Sequence, residues 1–503
     1  MARGDVRAEL ESPGGGLMAR IEFIDQSLRD GQQSLWGMRI RAGHILPVAE
    51  AIDSTGYRVV DLTGSSPFEV QVRYNVEDPW AGLDAVRAAF PRTPLRAGTR
   101  SNGVVGMGIT PDAIVELWVR TLARHGIRSF WIFDCLHNVD QMLHVAAIAR
   151  DAGMEPSPQV NFSLSPVHTD GHYARIIERF AASDAPATII LGDEAGVLHP
   201  ERARTWIRLM RQTAPDTTLE SHFHNKTAMG TLNHIIGVEE GVHILHTAVE
   251  SLANGPSMPS TVMAVDNMRR LGHEVTLDDS RLAEVSDHFA ALARQDGHHI
   301  GAPVEYSVAA VQQQFPGGMT GTLRNQLVTY GMEDRLPAVL EEAVRVRAEM
   351  GYPIMATPFS QLVGIQALLN VVGGERYRTI PDENLMFLAG HYGPPPGPLD
   401  QDLLDRAFST ERGRTVRETP PAQPSLAEIR REYGERLSDE ELLLRYLIPG
   451  PDVDRMYEAE NPIAPVYPLG ARQGLGWIRD VLSAGSARSV TVTRGDVTVS
   501  LRR

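Results

Sequence analysis

Five consecutive residues, Arg29-Asp30-Gly31-Gln32-Gln33, set a cation, a carboxylate, a glycine and two amides just after a short apolar run, Ile21 to Ile24. A run of that kind reads as a strand and the polar stretch as the loop leaving it. Loops at strand ends are where parallel barrels keep their chemistry. Far downstream, in Leu219-Glu220-Ser221-His222-Phe223-His224-Asn225, two histidines sit two apart. On an extended strand both imidazoles then face one side. One carboxylate and two imidazoles make a common ligand set for a borderline divalent cation. His-x-His alone fits an ordinary pair of strand histidines equally well; a carboxylate in a matching loop, Asp30, moves the reading toward a metal.

Something must carry these loops to one place. Eight β-rich runs recur about every 25 to 38 residues: 21–25, 59–62, 95–99, 129–133, 159–162, 188–191, 219–223 and 244–247. Helical patterns separate them, the repeat of a parallel (β/α)8 TIM barrel. Thr110-Pro111-Asp112 offers a cap, a helix-opening proline and an early acid, and His199-Pro200-Glu201 opens a similar helix. Ionisable groups gather after the strands: Asp30, Asp61, Arg100, Asp134, Asp193, His222, His224 and Glu250. For Asp134 and Glu250 a structural hydrogen-bonding role is preferred.

Beyond about residue 305 the repeat stops at a turn-rich bridge, Gln314 to Met319, and helices dominate. Ser425 with Glu428 and Ser438 with Glu441 have capping-box spacing. The end of the chain alternates from Ser489 to Leu501 and turns at Arg494-Gly495-Asp496 like a hairpin. The expected division is a flexible extension at 1–18, the barrel with its metal site at 19–310, a mostly helical C-terminal domain at 311–480 and a β-hairpin tail at 481–503.

The formal charge of −15 argues against a nucleic-acid or anionic-membrane surface. Cys135 is the one cysteine, which rules out an internal disulfide framework and fits a reducing, cytoplasmic setting. No apolar run is long enough to span a bilayer.

At this point the motifs resemble a known family. Leu28 to Ser34 is similar to the Leu-Arg-Asp-Ala-His-Gln-Ser of the carboxyltransferase subunits and domains of pyruvate carboxylase, oxaloacetate decarboxylase α subunit and transcarboxylase. These are hydroxymethylglutaryl-CoA lyase-like barrel metalloenzymes. Gly64 to Trp80 follows that family's segment ending in Pro-Trp, Gln314 to Met319 its Pro-Gly-Gly bridge, and Thr357 to Gly364 its Thr-Pro-x-Ser-Gln-x-Val-Gly.

The resemblance implies a metal-dependent carboxyltransferase or decarboxylase acting on a small 2-oxo acid, oxaloacetate or pyruvate, through an enolate. By the same resemblance Asp30, His222 and His224 are the metal ligands, for zinc, manganese or cobalt, with magnesium a further candidate. Gln33 meets the 2-oxo oxygen, Arg29 stabilises the enolate, Arg100 clamps the carboxylate and Thr357 relays a proton to biotin. Biotin carrier and biotin carboxylase subunits are the implied partners of a homo-oligomer.

Three features depart from the family. Gly192-Asp193-Glu194-Ala195-Gly196 stands where carboxyltransferases have Lys-Asp-x-Ala-Gly with a carboxylated lysine on the metal. Met107 replaces a tyrosine, and Asp61 shortens a glutamate. No Met-Lys-Met biotinylation tripeptide occurs, so any biotin arrives on another chain. A biotin-independent carbon–carbon lyase or aldol-type enzyme is therefore the alternative, and a non-catalytic assembly subunit a third reading.

Overall fold

A computed structural model describes residues 18–315, 317–329, 331–459, 461–468, 489–494 and 497–502. Eight parallel strands close in chain order: β1 (Glu22–Asp25), β2 (Val59–Asp61), β3 (Leu95–Arg100), β4 (Ser129–Phe133), β5 (Glu155–Asn161), β6 (Ile189–Asp193), β7 (Leu219–Phe223) and β8 (Ile244–Thr247). Closure is made by β1 on β8, with Glu22 opposite Ile244 and Asp25 opposite Thr247. The barrel and the helical region that follows are the fold the sequence predicts.

The strands differ from expectation mainly at β5 and β6. β5 begins at Glu155 and runs through Pro156 and Pro158. Prolines lack the N–H that a ladder uses, which is why they read as a boundary, yet the Pro156 carbonyl still accepts from Ala187 N–H at 2.8 Å. β6 extends to Asp193, so Gly192 lies inside it, opposite His222.

Helix Asp112–Arg124 lays Ile114, Leu117, Trp118 and Leu122 on the barrel. It starts one residue later than its motif suggests, with Pro111 in the capping position. Thr110 Oγ1 instead accepts from Val104 N–H at 3.0 Å. Helix Pro200–Thr213 opens at His199-Pro200 as its motif indicates. Each fully buried large apolar side chain of this layer contributes about 1.5–3 kcal/mol.

Inside the barrel, the small apolar cluster of Ile24, Val59 and Ile244 gives way toward the C-terminal rim to Asp61, Arg96, Ser129, Ser157, Thr188, Glu220 and His246, all buried. This interior is far more polar than the branched aliphatic layers usual in such barrels.

Residues 315–408 build a second core around Phe315, Leu323, Val346, Phe359, Val363 and Phe387. They are fastened over one side of the rim. Arg347 Nη2 donates to Ser163 Oγ at 2.7 Å, Gln314 Nε2 to the Leu164 carbonyl at 2.9 Å, and Tyr392 Oη to the Met107 carbonyl at 2.8 Å. The chain then returns to the barrel, where Ile429, Leu442, Leu443 and Val453 join its core. The capping box of Ser425 and Glu428 forms, whereas Ser438 only accepts from the Glu441 N–H. Strands β9 (Ser489–Arg494) and β10 (Val497–Arg502) pair antiparallel. The N-terminal extension to residue 17, the hairpin turn at Gly495 and Asp496, and residues 469–488 lie outside the described residues. Among the described residues no helix is long and apolar enough to cross a membrane.

Candidate metal centre and substrate cavity

A cavity of about 330 Å³ opens at the C-terminal rim, under the second core. Arg29, Asp30, Gln33, Arg100, His222, His224 and Thr357 all line it. Asp30 reaches it from a single π-helical turn, Ser27–Gly31, that follows β1. Gly31 is required there, because a Cβ would stand 2.8 Å from the Leu252 carbonyl oxygen. Alternation along β7 turns Glu220 and His222 inward, and His224 follows just past the strand end.

The ligand atoms of Asp30, His222 and His224 lie within 4.8 Å of one another. Nε2 of His222 is 3.6 Å and Nε2 of His224 3.4 Å from the Asp30 carboxylate. His224 Nδ1 is 2.7 Å from the Pro256 carbonyl and gives its proton there, while its buried Nε2 has no hydrogen-bond partner. Burial alone would lift the Asp30 carboxyl, but the charges of His224 and Arg29 outweigh it and hold it well below the carboxylate range. For His224, burial is outweighed by Asp30 and Glu194, which raise it above its ordinary value. The site therefore favours positive charge between these groups, and an orphaned imidazole nitrogen beside a carboxylate fits a divalent cation.

Another group, His137, His168 and His172, also brings three ligand atoms within 4.8 Å. Two of its three rings are already engaged with each other. Asn161 N–H donates to His137 Nε2 at 3.1 Å, so His137 keeps its proton on Nδ1 and gives it to His172 Nε2 at 3.0 Å. The cluster of Asp30, His222 and His224 is the one that includes a carboxylate and lines the cavity.

Arg29 is locked in place. Nη1 meets Asp30 at 2.8 Å, Nε meets Asp61 at 3.2 Å, and the guanidinium lies 5.0 Å from the centre of the Trp131 ring. Arg100 ends β3 buried, with Nη2 on the Gly106 carbonyl at 2.6 Å and Nη1 without a partner. Burial lowers its pKa. Arg100 lines the cavity, and a buried guanidinium there suits an anionic ligand. Met107 points away into the second core, leaving Gly106 on the cavity wall.

Gly192 has a physical reason. A Cβ there would lie 2.2 Å from Gln159 Nε2 and 2.7 Å from Glu194 Oε1. Those two side chains hydrogen-bond to each other and fill the wall where the family's lysine would emerge. Burial raises the Glu194 carboxyl to about 7, against the pull of His224. The chain's single lysine, Lys226, does not take over: its Nζ is turned to the Phe315 carbonyl, outside the cavity wall. Asp134 and Asp193 serve their own turns, accepting from Leu136 N–H at 2.7 Å and from Val197 N–H at 2.9 Å respectively.

Trp131, Gln159 and the buried Arg96, Glu220 and His246 were not anticipated from sequence. Arg96 and Glu220 fall inside predicted strands at inward positions, and charges placed there were the available signal.

This architecture and cavity define a hydroxymethylglutaryl-CoA lyase-like barrel with an appended carboxylase domain. The sequence profile described as HMGL-like matches residues 133–288, and that of a conserved carboxylase domain matches residues 310–474. The chain is 31% identical over 433 residues to a pyruvate carboxylase subunit of Methanocaldococcus jannaschii, covering 85% of this chain and 76% of that protein. With its counterpart in Methanothermobacter thermautotrophicus it shares 30% over 454 residues, 89% and 80% of the two chains. The carboxyl transferase domain from Rhizobium etli pyruvate carboxylase, solved with oxamate and biotin, has the same fold, with a TM-score of 0.81 at 24% identity over 89% of this chain and 79% of that one. The chain thus belongs to the biotin-dependent carboxyltransferase family of pyruvate carboxylase and its relatives, which are enzymes.

Proposed function

We propose that this chain is the carboxyltransferase component of a 2-oxo acid carboxylase, moving a carboxyl group between biotin on a separate carrier chain and pyruvate, with oxaloacetate as the carboxylated partner. The meeting of Asp30, His222, His224, Arg100 and Thr357 on one cavity, in a chain of this family, carries the reading. Arg100 is the cavity's one uncommitted cation among the described residues, since Arg29 is tied to two carboxylates. One free cation suits an acceptor with a single carboxylate.

Asp30, His222 and His224 would hold the cation, here proposed as zinc, manganese or cobalt. When bound it supplies fixed positive charge that lowers the barrier to an enolate. The chain's own groups do the rest. Arg100 anchors the substrate carboxylate, and Gln33 donates to the 2-oxo oxygen. Arg29, immobilised on Trp131, adds positive charge beside the forming enolate. Thr357 takes a proton from the pyruvate methyl carbon while its own hydroxyl proton passes to the biotin ring nitrogen released as carboxybiotin yields CO2. The enolate carbon then bonds to that CO2 and gives oxaloacetate. The second core, residues 315–408, covers the mouth of the barrel and limits water. A homo-oligomer working in the cytoplasm with carrier and biotin carboxylase chains completes the proposal.

Purified, metal-loaded protein incubated with oxaloacetate should form pyruvate faster when free biotin or a biotinylated carrier is added. Equal rates with and without biotin count against transfer. Gly192 favours a second reading, a biotin-independent lyase of β-hydroxy or 2-oxo acids; turnover across such a panel without biotin supports it, and silence removes it.

A further inference from the structure

Beneath the cavity a row of buried hydrogen bonds runs from one arginine to another, and its two ends fix the direction of every proton between them. Arg96, in β3, donates twice to Glu220, Nη1 to Oε2 at 2.7 Å and Nη2 to Oε1 at 2.9 Å. Thr188 Oγ1 donates to Oε1 at 2.6 Å as well. Glu220 is an acceptor throughout, so His246 Nε2, 2.8 Å from Glu220 Oε2, carries a proton and donates it.

At the other end Arg29 Nη2 donates to Gln26 Oε1 at 3.0 Å. That fixes the amide, so Gln26 presents its Nε2 donor to His246 Nδ1, 3.0 Å away. Both ends therefore agree that His246 has a proton on Nε2 and a bare Nδ1. His222 Nδ1 lies 2.9 Å from that bare nitrogen. Two lone pairs do not face each other at this distance, so the His222 Nδ1 is protonated. In the neutral ring the other nitrogen of His222, Nε2, is then the lone pair, 3.6 Å from the Asp30 carboxylate.

We propose that His246 is a positioning residue: polarised by Glu220–Arg96 on one side and Gln26–Arg29 on the other, it sets His222 in the one neutral tautomer that can ligate a cation. This rests on the metal reading above. It adds that a histidine on β8, touching neither cation nor substrate, governs how well the site binds its ion.

The test is Co2+ affinity, by competition with a chromophoric chelator, together with the cobalt absorption spectrum and the metal-free thermal midpoint. His246→Leu removes the acceptor and should weaken Co2+ about 10- to 100-fold. His246→Gln can turn its amide N–H to Glu220 and its oxygen to His222, preserving the polarity, and should stay within about threefold of the parent. Glu220→Gln is the second route, because Arg96 takes the amide oxygen and the amide N–H faces His246, reversing the row; its expected loss matches that of His246→Leu. Affinity unchanged in His246→Leu and Glu220→Gln, or lost equally in His246→Gln and His246→Leu, overturns the proposal. His224→Ala separates the two levels: if it leaves Co2+ binding intact, the metal reading itself falls and the positioning role with it.

Discussion

Gly192→Ala probes the wall formed by Gln159 and Glu194. The added carbon would lie 2.2 Å from Gln159 Nε2 and 2.7 Å from Glu194 Oε1. The backbone cannot step aside, since Gly192 is paired to Asn161 on one side and to His222 on the other. Overpacking of this kind costs about 1–3 kcal/mol. With an unfolding entropy of about 2.1 cal/mol/K per residue over a barrel of about 250 residues, that is a fall of about 2–6 °C in thermal midpoint. Gln159→Ala takes away the struck atom, so the double variant should recover about half or more of the loss, the coupling expected of touching residues. Scanning fluorimetry at one fixed heating rate, with chelator present, reads both. A Gly192→Ala midpoint within about 1 °C of the parent, or a double variant whose loss equals the sum of the singles, would refute a filled wall. By the same geometry, lysine at 192 alone should fail to restore a carboxylated ligand.

Metal content, measured by mass spectrometry, should be the same in bicarbonate-supplied and CO2-depleted buffers, because glycine has nothing to carboxylate. Burial raises the Glu194 carboxyl to about 7, so its favourable contribution is full below its unfolded pKa and is lost as pH rises through about 7. In chelator, Glu194→Gln should accordingly gain thermal stability relative to the parent between pH 5 and pH 8, and a gap that shrinks with pH would contradict this. Arg100→Ala should lower kcat/KM for the 2-oxo acid about 10- to 150-fold, the loss of a charged hydrogen bond of about 1.5–3 kcal/mol, with Arg100→Lys failing to restore the fork. Thr357→Ala should cut biotin-dependent turnover about 100- to 10,000-fold while leaving Co2+ affinity unchanged; a parallel loss of metal would give Thr357 a structural role instead.

Much of this was legible in sequence because strand residues announce themselves locally. Ile21 to Asp25, Val59 to Leu62 and Leu219 to Phe223 are short apolar runs that break into polar loops, and β1, β2 and β7 lie there. His222 and His224 needed only the two-residue repeat of a strand. What stayed hidden depends on contacts between distant strands. Pro156 and Pro158 concealed the start of β5, since a ladder can use their carbonyls without their nitrogens. That Gln159 leans across to Glu194, and so forbids a side chain at Gly192, is fixed by the β5–β6 register. The tautomer of His222 depends on Arg96, 126 residues earlier in the chain.

Of the chain's 48 lysine and arginine residues, only Lys226 is a lysine. It is largely shielded, depressed by burial to about 8, and held to the carbonyl of Phe315, the first residue of the second core. An acylating reagent therefore meets a protein with a single side-chain amine, stationed at the seam between barrel and cover. The pace at which that amine is labelled reports how accessible the seam is, and saturating the cavity with a substrate analogue should slow it.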